Sequence, residues 1–192
     1  MGNYYFDIET TGLDPEEDEI ISIQYMKIAI DSGQPAGPLE ILTNWTHHFN
    51  EKKILEKIFP LIMSSNPFAF VPVGNNLNFE FKFLASKFNK YFDLDISSAY
   101  FHSRPSIDMK PIMILLNGGR FKGYHLVLNK PNNGASVPGW YSNREYGKIV
   151  SYIKNEALSF MEFYGNVHSL MFNSEVRRKI FKTINKKLDD YV

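Results

Sequence analysis

Residues 4–13 read Tyr-Tyr-Phe-Asp-Ile-Glu-Thr-Thr-Gly-Leu. In an extended segment successive side chains point to opposite faces, so Phe6 and Ile8 share one face while Asp7 and Glu9 share the other. The pattern commits the segment to a strand with one side on a core, ended by the small polar turn Thr10-Thr11-Gly12. Two anions side by side on a half-buried strand repel each other and lose hydration, a cost that a bound divalent cation would offset. Asp7 and Glu9 are therefore candidate metal ligands.

The pattern that follows predicts a hairpin. Residues 19–30 alternate, with Ile21, Ile23 and Tyr25 on one side. The turn formers from Asp31 to Pro38 then lead into a third strand over Leu39 to Trp45. Asn50 is placed to cap a helix carrying Ile54, Leu55, Ile58 and Phe59, with Pro60 disturbing the pattern. A short apolar run over Phe68 to Val73 precedes an amphipathic helix over Leu77 to Phe92, a strand, turn and helix that make a crossover unit. Asp108 can cap a helix bearing Ile112, Ile114 and Leu115. Glycines and prolines between Gly118 and Gly139 predict loops with short elements. Asn143 can start a long helix with the buried stripe Ile149, Ile153, Ala157 and Phe160, and a basic helix is expected over about residues 174–188. Strands first and interleaved helices afterwards predict an α/β fold, a mixed β-sheet flanked by α-helices, in one domain over residues 1–192.

Composition excludes several classes. The 192 residues contain no cysteine, so any metal must rest on oxygen or imidazole ligands, which favours magnesium or manganese. No run reaches the roughly eighteen apolar residues of a membrane span, and no membrane role is expected. Asp7 and Glu9 fall where the apolar stretch of a secretory signal would lie, so a cytoplasmic location is expected. Lys plus Arg equals Asp plus Glu at 21 each, so attraction to a polyanion must be local. The signs are segregated: residues 7–19 are acidic, whereas Arg177, Arg178, Lys179, Lys182, Lys186 and Lys187 crowd the C-terminal segment.

Two more acidic motifs follow in the chain. Gly74-Asn75-Asn76-Leu77-Asn78-Phe79-Glu80-Phe81-Lys82-Phe83-Leu84 places Glu80 in the first turn of a helix, where the positive end of the macrodipole favours an anion. Tyr152 and Glu156, four apart, lie on adjacent turns of one helix face. Together these motifs resemble the DEDD superfamily of 3′→5′ exonucleases, which has a ribonuclease H-like fold. Residues 6–13 resemble its first motif, residues 76–84 its N-x-x-F-D-x-x-F-L motif, and residues 152–156 its Y-x-x-x-D motif. Glu80 and Glu156 each stand where the family usually has Asp. A histidine five residues before the last acid is not found, since His125 leads to Lys130, and Tyr146 leads to Val150. The tyrosine branch is the one resembled, nearest the proofreading domains of family B DNA polymerases.

That resemblance implies a two-cation hydrolase of phosphodiester bonds at single-stranded DNA or RNA 3′ ends, releasing nucleoside 5′-monophosphates. The implied cofactors are two divalent cations, Mg²⁺ or Mn²⁺, about 4 Å apart. Asp7 would bridge them, Glu9 and Glu156 would complete the first, and Glu80 would support the second directly or through water. Tyr152 would orient the attacking water. Thr10, Thr11, Gly12 and Leu13, with Asn76 and Phe79, lie where the family meets the 3′-terminal nucleotide. A replication or repair protein is a candidate partner. The rival from another class is a nucleic-acid-binding module of the same fold without turnover.

Other polar residues read more plainly. His47 and His48 suit a solvated loop. Asp108 suits a helix cap, with substitution for Glu80 as the alternative. The C-terminal cations suit either a solvated helix face or contact with phosphates. The motifs do not separate DNA from RNA or fix an oligomeric state.

Overall fold

In the computed structural model, which describes residues 2–120 and 134–172, the expected hairpin is formed by β1 (Asn3–Thr10) and β2 (Ile20–Ile28). The two pair antiparallel, with Asp7 opposite Gln24 and Glu9 opposite Ser22. The third strand, β3 (Glu40–Thr43), pairs with β2; it is shorter than expected, because Asn44–His47 turn into a 3₁₀ helix that carries Trp45. β4 (Val71–Gly74) lies parallel to β1 on its other side, and a two-residue strand, β5 (Ile107–Asp108), lies parallel to β4. The order is β3-β2-β1-β4-β5, a mixed five-stranded sheet flanked by helices, as the sequence predicted.

One apolar face of the sheet packs on α1 (Glu51–Ile62) and α2 (Asn78–Phe92). Asn50 caps α1 as expected: its side-chain oxygen accepts from the Lys53 amide at 3.2 Å. Ile54, Leu55, Ile58 and Ile62 then meet Phe6, Ile8, Ile23, Phe81, Leu84 and Phe88 in one buried cluster. Each such side chain contributes about 1.5–3 kcal/mol on burial. Pro60 does not end α1. It falls in the last turn, and the helix closes when the Met63 amide donates to the Phe59 carbonyl at 2.8 Å.

The opposite face is covered by α6 (Tyr146–Phe172), reached after α3 (Ser98–His102), α4 (Lys110–Leu116) and α5 (Val137–Ser142). Its stripe, Ile149, Ile153, Ala157, Phe160 and Tyr164, is buried, and Phe160 packs on Tyr5 of β1 with ring centroids 5.1 Å apart. Farther along, the His168 ring Nε2 lies 3.0 Å from the Ile30 carbonyl and ties α6 to the β2–β3 turn. Asn143 does not start this helix; it ends α5, and α6 begins three residues later at Tyr146. The helix expected over residues 174–188 lies outside the described residues, as do its cations.

A second correction concerns β2. The register shifts between Glu9 and Thr10, which pair with Ser22 and Ile20, leaving Ile21 as the extra residue of a bulge. Ile21 consequently joins Val137, Ile149 and Ile153 on the α6 side, whereas Ile23 sits in the α1–α2 cluster. The alternation that placed Ile21 with Ile23 and Tyr25 is broken by one inserted residue.

Candidate metal centre

β1 delivers its two acids to the α6 face. Asp7 is half-buried and Glu9 is buried, and Glu156 on α6 comes to meet them: one carboxylate oxygen from each of the three lies within 4.8 Å of the others. Glu156 is adjacent to the buried stripe, one residue before Ala157, so the same helical period that buries Ile153 and Phe160 brings it to the sheet.

Tyr152 stands one turn earlier on α6, and its hydroxyl donates to Glu156. Burial pushes its phenol far above the usual tyrosine range, and the charges of Glu156, Glu9 and Asp7 push it further. The phenol therefore stays protonated and cannot serve as a base near neutral pH. The turn Gly134–Ser136 passes close by, since a Cβ on Gly134 would lie 3.6 Å from the Tyr152 hydroxyl.

Glu80 occupies the other side of Asp7. It is fully enclosed in the first turn of α2 and is not one of the three clustered carboxylates; its side chain hydrogen-bonds with Asp7 instead. Burial pushes the pKa of its carboxyl well above the usual carboxylate range, with the charges of Asp7 and then Asp108 adding to the effect, while its own backbone amide opposes it. Among the described residues its Oε2, which is buried, has no hydrogen-bond partner. A buried carboxylate oxygen without a partner, beside a half-buried carboxylate, costs free energy, and a hard cation would supply the missing partner. An all-oxygen donor set of this kind fits magnesium or manganese.

Glycine makes the approach of β4 to β1 feasible. A Cβ on Gly74 would lie 2.7 Å from the Phe6 carbonyl and 2.6 Å from the Leu77 side chain, so no larger residue fits there without displacement. Asp108, at the end of β5, then fixes the turn into α2. It accepts from the amides of Asn76 and Leu77 at 2.9 and 3.0 Å and from that of Lys110 at 2.9 Å. Asp108 is thus a cap, as expected, but for the turn before α2 as well as for α4. Asn76 takes a left-handed φ of 66°, and its side-chain oxygen accepts from Lys110 Nζ at 2.9 Å. The Phe79 ring is half-buried against Phe83, centroids 4.9 Å apart.

The turn after β1 is tied internally. The Thr10 hydroxyl donates to the Gly12 carbonyl. The Thr11 hydroxyl donates to Asp18 at 3.1 Å and accepts from the Glu19 amide at 2.9 Å, while the Asp14 amide donates to Asp18 at 2.9 Å. A Cβ on Gly12 would lie 2.3 Å from the Asp18 carboxylate. Leu13 projects from this turn and is 84% exposed.

Two residues of the centre escaped the reading of the sequence. Gln24, fully buried on β2, donates to Asp7 Oδ2 at 2.7 Å and is itself held by the Ser22 hydroxyl at 3.2 Å. The signal of Gln24 was present: it and Ser22 are polar residues two apart, on one side of a mostly apolar strand whose charged residue, Lys27, is exposed. Asp18 was the other, hidden in a run of exposed acids. His47, expected in a solvated loop, instead ends the 3₁₀ helix half-buried, with Nδ1 2.9 Å from the Thr43 carbonyl.

Comparison with known proteins gives a family. A profile described as the RNase H superfamily matches residues 4–126. No curated protein matches the chain significantly. Among solved structures, the metal-free and zinc-bound forms of the E. coli exonuclease I–ssDNA complex are similar at 14% and 15% identity, with TM-scores of 0.45 and 0.47. They cover 63% and 60% of this chain, and 31% and 29% of their own. E. coli exonuclease I with a 5cy-dA13 oligonucleotide is 16% identical, with a TM-score of 0.46, covering 63% of this chain and 31% of that one. The chain spans less than a third of the length of those exonuclease I chains.

Proposed function

The chain belongs to the RNase H superfamily, and from that premise we propose that it is a metal-dependent 3′→5′ exonuclease acting on single-stranded DNA or RNA ends and releasing nucleoside 5′-monophosphates. The observation that carries this reading is the convergence of Asp7, Glu9 and Glu156 from β1 and α6, with Tyr152 bonded to the last of them. The order of these acids along the chain matches the tyrosine-type motifs they resemble. We assign the whole of residues 1–192 to this one domain.

Asp7, Glu9 and Glu156 would hold one divalent cation, and Asp7 with Glu80 a second. When bound, such cations polarise the phosphate and lower the pKa of a water. Gln24 keeps Asp7 Oδ2 oriented by its 2.7 Å hydrogen bond. Tyr152, kept protonated, donates to Glu156 and offers its oxygen lone pair to the attacking water, which it orients rather than deprotonates. The water adds to phosphorus as the bond to the 3′-oxygen breaks, the water's proton passing to solvent and the leaving 3′-oxygen taking a proton from solvent. Thr10, Thr11, Gly12 and Leu13 would meet the terminal nucleotide, Leu13 as an exposed apolar wedge, with Asn76 and Phe79 behind Glu80.

A module that binds without turnover is the second reading, and one observation favours it: Glu80 is enclosed, and burial beside Asp7 pushes its carboxyl well above the usual carboxylate range. The two longer Glu arms also loosen ligand geometry. Magnesium demands a near-ideal octahedron, so manganese should support the higher rate, and an equal or greater rate with magnesium contradicts that assignment. The test of function is degradation of 5′- and 3′-labelled single strands in manganese. A ladder from the 5′ label with immediate mononucleotide from the 3′ label is expected. Retained binding without product selects the binding module.

A further inference from the structure

The rim next to Tyr152 is built of aromatic rings that the acidic centre does not need. Trp140 on α5 is half-buried and packs on Tyr152 with centroids 5.9 Å apart. Its neighbour Tyr141 lies 6.1 Å from Trp45 and 6.0 Å from Tyr146. Trp45 stacks on Tyr146 at 4.9 Å with the planes 13° apart, and Tyr146 meets Phe49 at 6.2 Å. The rings form two sets, Trp140 on Tyr152 beside the candidate centre and Tyr141, Trp45, Tyr146 and Phe49 in contact farther out, which adjoin where Trp140 and Tyr141 follow one another on α5.

Core packing accounts for the inner rings but not for the outer one. Tyr141 is anchored by hydrogen bonds with Asn44, and Trp140 and Trp45 border the buried cluster of Ile21 and Ile153. Phe49 is 56% exposed. Its backbone is strained as well: His48 and Phe49 take φ of 57° and 56°, two consecutive left-handed residues without a glycine. A bulky side chain adopts that conformation at a cost, and such strain clusters where a side chain is held for a task. Arg144, between Tyr141 and Tyr146, takes φ of 58°. Three of the five non-glycine residues with positive φ among those described lie along this strip. Exposed cations, Lys52 three residues after Phe49 and Arg144 two before Tyr146, contrast with the acidic turn of residues 14–19.

We propose that this strip is the track for the single strand on the 5′ side of the terminal nucleotide, with an unpaired base stacking on Phe49 and phosphates passing Lys52 and Arg144. Aromatic faces accept any base, and cations beside them match a backbone of phosphates. A duplex hides the base faces, so the track selects unpaired strands several nucleotides long. The assignment rests on the proposed function in placing the 3′ end at the acidic centre.

The test measures fluorescence anisotropy of 5′-fluorescein-labelled 15-mer and trimer DNA and RNA, all in the Asp7→Asn background to prevent degradation. Phe49→Ala should weaken 15-mer binding about tenfold, the loss of one base–aromatic stack. Trimer binding should be unchanged, and Phe49→Trp should retain 15-mer affinity. Arg144→Asn, which tolerates the left-handed backbone, should weaken the 15-mer and flatten its salt dependence. Unchanged 15-mer affinity in Phe49→Ala, or an equal loss at both lengths, overturns the track. Mononucleotide release by the parent chain is scored separately: product with an unaffected Phe49→Ala removes the track alone. No product with a length-dependent loss keeps the track and removes the exonuclease. No 15-mer binding by the Asp7→Asn protein overturns the track.

Discussion

The two faces of β1 solve opposite problems. On one, Phe6 and Ile8 vanish into the cluster with α1 and α2, where every neighbour lowers the free energy of the fold. On the other, Asp7 and Glu9 share their surroundings with Glu156, and Glu80 is pressed against Asp7 with a buried oxygen that has no hydrogen-bond partner among the described residues. The first face stabilises the chain; the second is a concentration of like charge that the first must support. Stability and chemistry are separated by the alternation of a single strand, so mutations on adjacent residues should have opposite signatures.

The largest effect expected is on turnover. Asp7→Asn keeps an oxygen for Gln24 to bond and should lower product formation on the order of a thousandfold, by analogy with loss of a preorganised electrostatic group, while leaving the metal-free fold at least as stable as the parent. A measured rate within tenfold of the parent breaks the comparison. Next comes the other face: Phe6→Ala should cost about 3–5 kcal/mol of stability in denaturant titration. A loss under about 1 kcal/mol would mean that the α1–α2 cluster does not carry the fold.

The third expectation concerns Gln24, which supports the acidic face from the partner strand. Gln24→Leu should reduce metal affinity or activity about 10- to 100-fold, the usual cost of losing a group that orients a ligand. A smaller effect would assign Asp7's orientation to Glu80 alone. The smallest effect is a pH dependence. The Glu80 carboxyl binds its proton more tightly folded than unfolded, so its contribution to metal-free stability is fully present below the ordinary carboxylate range and lost as pH rises through its elevated folded value. Chemical denaturation of the metal-free protein from pH 5 to 8 should show that decline, and Glu80→Gln should flatten it. An undiminished slope in the variant moves the effect to another group.

The local parts of this arrangement were legible in the sequence because each depends on one element's period. Alternation put Asp7 and Glu9 on one face of β1, and helical spacing paired Tyr152 with Glu156 on α6. The sheet and its helices followed from the same signals. What was not legible depends on pairing between elements. Ile20, Ile21 and Ile23 are equally apolar, so the bulge that sends Ile21 to the face opposite Ile23 is set by the register with Thr10 and Glu9. Gln24 becomes part of the centre only when β2 lies beside β1. β5 is two residues long and exists because β4 offers it an edge. Asn143 suits a helix start by type, yet α5 claims it as an ending.

Thermal unfolding with and without manganese, for the parent chain and Asp7→Asn side by side, tests most directly whether the charged face of β1 is held for a cation. With manganese a hundredfold above its Kd, the parent should gain about 2.7 kcal/mol, a rise in Tm of about 5–10 °C, and Asp7→Asn should gain little. An equal shift in both proteins, or none in the parent, would contradict the claim that the face opposite Phe6 and Ile8 is a metal centre.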